Sequence, residues 1–173
     1  GVIVTLSDGR KVSGTHCLVA IGSIPNTEDL GLEEAGVEHA LSGHITVDGV
    51  SRTSVNNIYA AGDCTGVYPL ASVAAMQGRI AVAHILGDAV RPLRTDRVAA
   101  NIFTSPEIAT VGISEKDLQE GAYRGDAVTL QLSTNPRAKM MAMRDGFVKI
   151  FARRHSGTVI GGVVVGQRAS ELI

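Results

Sequence analysis

The chain has 173 residues, of which 45% are hydrophobic, and its 16 lysines and arginines nearly balance 17 aspartates and glutamates. This composition excludes an intrinsically disordered chain, and the net charge of -1 argues against a nucleic-acid or membrane-surface binder. No apolar run approaches the roughly 20 residues that span a bilayer and no signal peptide is visible, so we expect no membrane partner and a cytoplasmic location.

The beginning of the chain predicts a hairpin, a buried strand and a short helix. Two β-type runs, 2–6 and 11–13, flank an Asp-Gly pair that is typical of a hairpin turn. Residues 18–21 form a continuous apolar run that ends at Gly22, a pattern typical of a strand buried on both faces. We expect an acidic helix over residues 27–36, with Thr at its first position as the N-cap.

Two further strands and one long helix complete the first half. Residues 45–47 predict a small strand, and 58–61 predict a buried strand that ends in Gly62-Asp63. A helix is predicted over 70–86, preceded by a proline that is tolerated in a first turn. Its apolar and semi-polar positions recur at helical spacing at Leu70, Val73, Ala74, Gln77, Ala81, Ile85 and Leu86.

After a linking segment at 91–97, the pattern changes to short β-type runs, which predict an antiparallel α+β domain. The predicted strands are 101–104, 108–111, 128–132, 147–152 and 159–165. A Ser-x-x-Asp capping pattern opens a short helix over 114–120. Arg137 and Lys139 form a basic pair in a predicted loop, and the last four residues resemble the first turn of another helix. We therefore expect the natural chain to continue.

The segment from Thr53 to Ala75 carries the main indication of chemistry. It contains a predicted strand that ends in Gly-Asp, a glycine-containing loop and a helix N-terminus. Ligands of open α/β sheets lie beyond the carboxyl ends of strands, where Gly62 would permit close approach and Asp63 would accept a hydrogen bond from a hydroxyl. An isolated Gly-Asp is usually a simple turn, but here strand, acid, loop and helix follow in order.

The string from Thr53 to Gly66 resembles the second FAD-binding motif of the pyridine nucleotide-disulfide oxidoreductases. Other segments resemble the same family in the same order along the chain. They are Ala20–Gly22 with Ile24–Thr27, Gly43–Asp48, Phe103–Gly112, Asp145–Lys149, Ile160–Gly162 and Ala169–Ile173. The resemblance therefore covers nearly the whole chain.

The resemblance implies an α/β fold class, in which the C-terminal part of an FAD/NAD(P)-binding Rossmann-like domain precedes part of an α+β dimerisation domain. The implied limits are 1–22 for the end of the NAD(P)-binding domain, 23–93 for the C-terminal segment of the FAD-binding domain, and 94–173 for the N-terminal part of the dimerisation domain. A homodimer is implied as well.

The resemblance also implies roles for individual residues, with FAD and NAD(P)H as cofactors and no metal site. Asp63, after Gly62, would hold a hydroxyl of the ribityl chain of the flavin. The residues beneath the flavin ring would be Leu70, Ala71 and Ser72. Gly22 would pass close to the nicotinamide nucleotide or to FAD at the domain junction. This piece is expected to contain no catalytic residue, because it lacks the Cys-x4-Cys disulfide of the family and its C-terminal His-Glu base.

The implied function is that of an FAD-dependent oxidoreductase that passes a hydride from NAD(P)H through FAD to a disulfide or quinone acceptor. Ser23 stands where the family usually has arginine, which leaves the nucleotide and the acceptor open. The alternatives are a non-catalytic flavin-binding and dimerisation module, and a nucleotide-binding α/β domain without flavin.

Overall fold

The structure, a computed structural model, describes residues 1–173. It begins with the predicted antiparallel hairpin, which is confirmed. Strand β1 (Val2–Thr5) pairs with β2 (Lys11–Gly14), and Val2 lies opposite Gly14. The Leu6 amide donates a hydrogen bond to the Arg10 carbonyl oxygen at 2.8 Å and closes the turn between the strands.

The predicted buried strand over residues 18–21 does not form within this chain. This segment has no regular secondary structure, and the exposed fractions of Leu18, Val19 and Ile21 are 89%, 72% and 95%. A strand buried on both faces needs hydrogen-bonded neighbours as well as covering layers. No segment of the chain pairs with residues 18–21.

The predicted helix over residues 27–36 is wrong, because this segment folds as a series of turns. Asp29, Gly31 and Gly36 have positive φ angles, which interrupt any right-handed helix. Thr27 does not cap a helix; its hydroxyl donates a hydrogen bond to the Gly43 carbonyl oxygen at 2.7 Å.

The predicted strands over 45–47 and 58–61 are reduced to isolated bridges. Ile45 pairs with His39, and Tyr59 pairs with Arg52. Residues 58–60 are half-buried rather than buried. As for residues 18–21, the apolar run alone does not make a strand when no second strand lies alongside it.

The long helix is confirmed as α1 (Ala71–Ile85), with Leu70 in an extended conformation at its N-cap. Its buried residues are Val73, Gln77 and Ala81, which are four residues apart and share one face. One of these three buried residues, Gln77, is polar, and its side chain forms hydrogen bonds to the loop that precedes the helix.

The second half contains a five-stranded antiparallel sheet with the order β3-β4-β7-β6-β5, which confirms the predicted architecture. The strands are β3 (Ala100–Ile102), β4 (Glu107–Gly112), β5 (Gly125–Gln131), β6 (Phe147–Arg153) and β7 (Val159–Gly166). The central strand β7 lies between β4 and β6, and it includes four of the buried residues of the chain.

Three short helices accompany the sheet: α2 (Glu115–Gln119), α3 (Pro136–Met140) and α4 (Ala169–Leu172). The predicted capping box of α2 is confirmed, and hydrogen bonds from the Ser114 side chain and amide lower the pKa of the Asp117 carboxyl. The predicted basic loop is wrong in part, because Arg137 and Lys139 lie on α3. Asn135 caps this helix by accepting a hydrogen bond from the Ala138 amide at 3.1 Å.

The two faces of the sheet are packed differently. On one face, Ala109 and Val164 form a buried cluster with Ala169 of α4, and Val148 and Ile173 pack against it. Phe151 of β6 is completely buried and lies opposite Gly161 of β7. The ring of Phe151 thus has a small neighbour on the adjacent strand.

No helix combines the length and the apolar character needed to cross a membrane.

We predict that Phe151→Ala lowers the free energy of unfolding of the natural protein by about 3 to 5 kcal/mol, since the opposite glycine supplies no side chain to fill the cavity. Phe151→Leu is the matched control and should cost less than about 1.5 kcal/mol, because most of the apolar volume remains. Urea denaturation followed by circular dichroism measures both losses. Equal losses in the two variants would contradict the cavity explanation.

Candidate functional site

A single helical turn, Asp63–Thr65, lies between two glycines at the end of segment 58–61. Gly62 has φ 93° and ψ -158°, a conformation that is available essentially only to glycine. Gly66 follows in the left-handed region with φ 65°. The two glycines supply the backbone conformations at either end of the turn, and Asp63 is its first residue.

The side chain of Gln77 fastens this turn to helix α1. The Gly62 amide donates a hydrogen bond to Gln77 Oε1 at 2.8 Å, and Gln77 Nε2 donates one to Thr65 Oγ1 at 3.2 Å. The Thr65 hydroxyl in turn donates to the Gly62 carbonyl oxygen at 2.8 Å. Gln77 is only 1% exposed and Thr65 is buried, so these bonds form away from solvent.

Asp63 is exposed, and its carboxylate takes no part in this buried network. No side chain caps α1, so its first amides are free of side-chain acceptors. Ala71 and Ser72 are exposed at this helix end, and Leu70 is half-buried beside them. An acceptor-only carboxylate and the positive end of a helix dipole are thus presented by the same turn and helix.

The turns around His44 and Ile45 also contact the Asp63–Thr65 turn. The Ile45 amide donates to the Cys64 carbonyl oxygen at 2.8 Å, and a Cβ at Gly66 would come within 2.8 Å of the His44 ring. The Tyr59 hydroxyl and His84 Nδ1 are hydrogen-bonded at 2.7 Å. Segment 58–66 is therefore attached to α1 at Gln77, in the middle of the helix, and at His84, in its last turn.

The other predicted position, Gly22, is not held in a comparable way. It lies in the exposed segment that follows residues 18–21, and a Cβ built there would meet no atom within 4 Å. Its φ angle is outside the left-handed region, so nothing within this chain requires glycine there. The structure thus brings together Gly62, Asp63 and the start of α1, whereas Gly22 remains a separate prediction.

The sequence alone does not identify Gln77 and Thr65 as site residues. Gln77 fits the helical period of buried positions in α1, and the period alone does not distinguish a buried amide from an apolar side chain. A signal was present in the polarity itself, because a glutamine at a buried position must find hydrogen-bond partners.

Two family models match the chain in succession. Residues 1–78 match a pyridine nucleotide-disulphide oxidoreductase model, and residues 98–173 match the dimerisation domain of the pyridine nucleotide-disulphide oxidoreductases. The chain belongs to this family. Its mixed α/β fold is accordingly the C-terminal part of the FAD/NAD(P)-binding region followed by part of the dimerisation domain.

Individual relatives agree with this assignment over the whole chain. A Mycobacterium tuberculosis protein named NAD(P)H dehydrogenase (quinone) is 58% identical over all 173 residues, which cover 35% of that protein. A Staphylococcus aureus dihydrolipoyl dehydrogenase is 39% identical over the full chain, which covers 37% of it. The chain thus spans about a third of the length of the curated relatives it matches.

Solved structures show the same similarity. LpdA from Mycobacterium tuberculosis matches with a TM-score of 0.89 and 58% identity, over 100% of this chain and 38% of that one. The HOCl-induced flavoprotein disulfide reductase RclA from Escherichia coli matches with a TM-score of 0.82 and 26% identity, over 96% of this chain and 38% of its own.

We predict that Gly62→Ala lowers the free energy of unfolding by about 1 to 3 kcal/mol, because alanine is strained at φ 93°. The new methyl group would also lie 3.3 Å from Ala74 Cβ. Gly78→Ala is the control on the same helix. A Cβ built at Gly78 would meet no atom within 4 Å, so this substitution should stabilise α1 by about 0.5 to 1 kcal/mol. A loss of stability in both variants would argue against strain at Gly62 as the cause.

Proposed function

We propose that this chain is part of an FAD-dependent oxidoreductase that takes a hydride from NAD(P)H and reduces a small-molecule acceptor as a homodimer. The observation that carries the proposal is the exposed Asp63, on a turn that is hydrogen-bonded to α1, together with the uncapped N-terminus of that helix. Membership of the family and the relatives named dihydrolipoyl dehydrogenase and NAD(P)H dehydrogenase (quinone) support it.

The residues of the turn suit a flavin nucleotide. The exposed Asp63 carboxylate can accept hydrogen bonds from a sugar-alcohol hydroxyl, and it does not cap the neighbouring helix. The exposed Ala71 and Ser72, with Leu70, offer free amides and a small, partly apolar surface for a flat ring. FAD, when bound, supplies two-electron transfer between the nicotinamide and the acceptor. The N-terminus of α1 would stabilise negative charge that develops at that end of the site.

The dimer is assigned to the region from residue 98 to residue 173, which matches the dimerisation domain. We assign residues 1–22 to the end of the NAD(P)-binding domain, 23–93 to the FAD-binding domain and 94–173 to the dimerisation domain. Gly22 would then lie at the junction of the two nucleotide-binding domains. These assignments account for the unpaired residues 18–21, which would join a sheet formed with other parts of the protein.

We predict that Asp63→Ala weakens FAD binding by about 1.5 to 3 kcal/mol, the scale of a hydrogen bond to a charged group. Because Asp63 is exposed in this chain, the variant should fold normally. Asp88→Ala, just beyond the opposite end of α1, is the matched control and should bind FAD like the wild type. Fluorescence titration of the deflavinated natural protein measures the affinities. Unchanged affinity in Asp63→Ala would remove Asp63 from the site, and a protein with no affinity for FAD would overturn the proposed function.

For the acceptor, we propose a quinone rather than a disulfide, because the relative with 58% identity is named a quinone-reducing enzyme. The purified natural protein should oxidise NADH or NADPH with a soluble naphthoquinone at least about ten times faster than with lipoamide at equal concentrations, a difference of about 1.4 kcal/mol in activation free energy. Steady-state absorbance of the nicotinamide measures both rates with each nucleotide. A rate that is faster with lipoamide would assign the disulfide acceptor instead.

A further inference from the structure

We infer that Gln77 is a positioning residue for the cofactor: its buried amide holds the Gly62–Thr65 turn so that Asp63 meets the hydroxyl it binds. This inference rests on the proposed function, since it assigns a task to a residue behind the same site. The observation is the closed ring of three hydrogen bonds that joins Gly62, Thr65 and Gln77.

The ring needs an amide at position 77. The Gly62 N–H requires an acceptor, and the Thr65 oxygen accepts a donor because its own proton is already given to the Gly62 carbonyl. An amide side chain offers one acceptor and donors on the same planar group. A carboxylate offers acceptors only, and an apolar side chain offers neither. Asparagine is one methylene shorter than glutamine and would not reach across the same gap.

The direction of the bonds also determines where Asp63 points. Gly62 precedes it and Thr65 follows it by two residues, and both are tied to Gln77. Relaxation of Gly62 from φ 93° and ψ -158° to an ordinary conformation would break its bonds, because rotation about φ turns its N–H relative to the carbonyl and rotation about ψ turns its carbonyl oxygen away from Thr65. Since Gln77 is 1% exposed, water cannot replace it as the partner of Gly62. Asp63 is thus oriented by its neighbours and not by a bond of its own carboxylate.

A double-mutant cycle in the natural protein tests this role through FAD affinity. Gln77→Leu keeps the approximate volume and removes both amide bonds, so it should weaken FAD binding about tenfold. In an Asp63→Ala background the same change should weaken it less than about twofold, because the group that Gln77 orients is already gone. Affinities are measured by quenching of FAD fluorescence on the deflavinated protein, at a temperature well below the Tm of every variant.

Ala81→Gly provides the control for a purely structural effect. Ala81 is buried one turn further along the same face of α1, and glycine there lowers helix stability without touching the turn. This variant should lower the Tm and leave FAD affinity within about twofold of the wild type. A Gln77→Leu variant that behaves in the same way, with a lower Tm and unchanged affinity, would overturn the inference. Equal weakening with and without Asp63 would overturn it too.

Gln77→Glu gives a second readout if Gln77→Leu does not fold. A protonated glutamic acid can accept from Gly62 and donate to Thr65, whereas the ionised form opposes the lone pair of Thr65. Burial raises the pKa of such a side chain, so the variant should bind FAD nearly as well as the wild type at low pH and progressively less well as the pH rises. The readout is the ratio of the two affinities at each pH, because titratable neighbours of the turn such as His44 and Cys64 are common to both proteins. Parallel profiles for the two proteins would contradict the inference.

The failure of the proposed function has a different signature from the failure of this inference. If the wild type does not bind FAD, the proposed function and the role of Gln77 are both rejected. If the wild type binds FAD and Asp63→Ala binds it equally well, the flavoenzyme stands and Gln77 has no carboxylate to position. If Asp63→Ala binds weakly and Gln77→Leu binds normally, only the role of Gln77 is rejected.

Discussion

The candidate site depends on one buried amide. Gln77 provides the acceptor for the Gly62 amide and the donor for the Thr65 hydroxyl, and it does so from the rigid interior of α1. The segment that it holds has almost no regular secondary structure of its own. Without a ladder of backbone hydrogen bonds, a loop is positioned by the side chains that reach it from a stable element. The helix therefore acts both as a support for the turn and as the source of the adjacent free amides.

The same dependence on side chains extends through the preceding region. Asp48 accepts hydrogen bonds from the amides of Val50 and Arg52, and the Thr53 hydroxyl donates to the Ile58 carbonyl oxygen at 3.0 Å. These local bonds create successive turns in place of strands. They lead the chain to α1, to which Tyr59, Gly62 and Thr65 are each hydrogen-bonded. The path of the chain to the site is thus specified by polar residues at turns.

An element of the fold can be predicted from this sequence when the segments that pair or pack with it also lie within the chain. The hairpin of β1 and β2, the sheet built from β3 to β7 and the capping box of α2 all have their partners within the chain, and their prediction is confirmed. Residues 18–21 have the composition of a buried strand, but a parallel strand requires neighbours that are distant in sequence. The sequence does not predict α3, because Asn-Pro is equally typical of a turn. The helix is distinguished only by the Asn135 cap and by Pro136 at its first position.

The candidate site, too, can be predicted only in part from the sequence. The sequence predicts the acid and the glycine of the turn, since Gly-Asp directly after an apolar run is a recognisable signal. Their support was not predicted, because Gln77 occupies a position in the helical period that an apolar residue would also satisfy. Charge and periodicity identify groups that contact a ligand or fill a core, whereas a buried amide belongs to neither class. Gln77 is a buried polar side chain, and its partner Gly62 adopts a backbone conformation that essentially only glycine can adopt. The bond between these two residues therefore connects the fold of α1 to the position of Asp63.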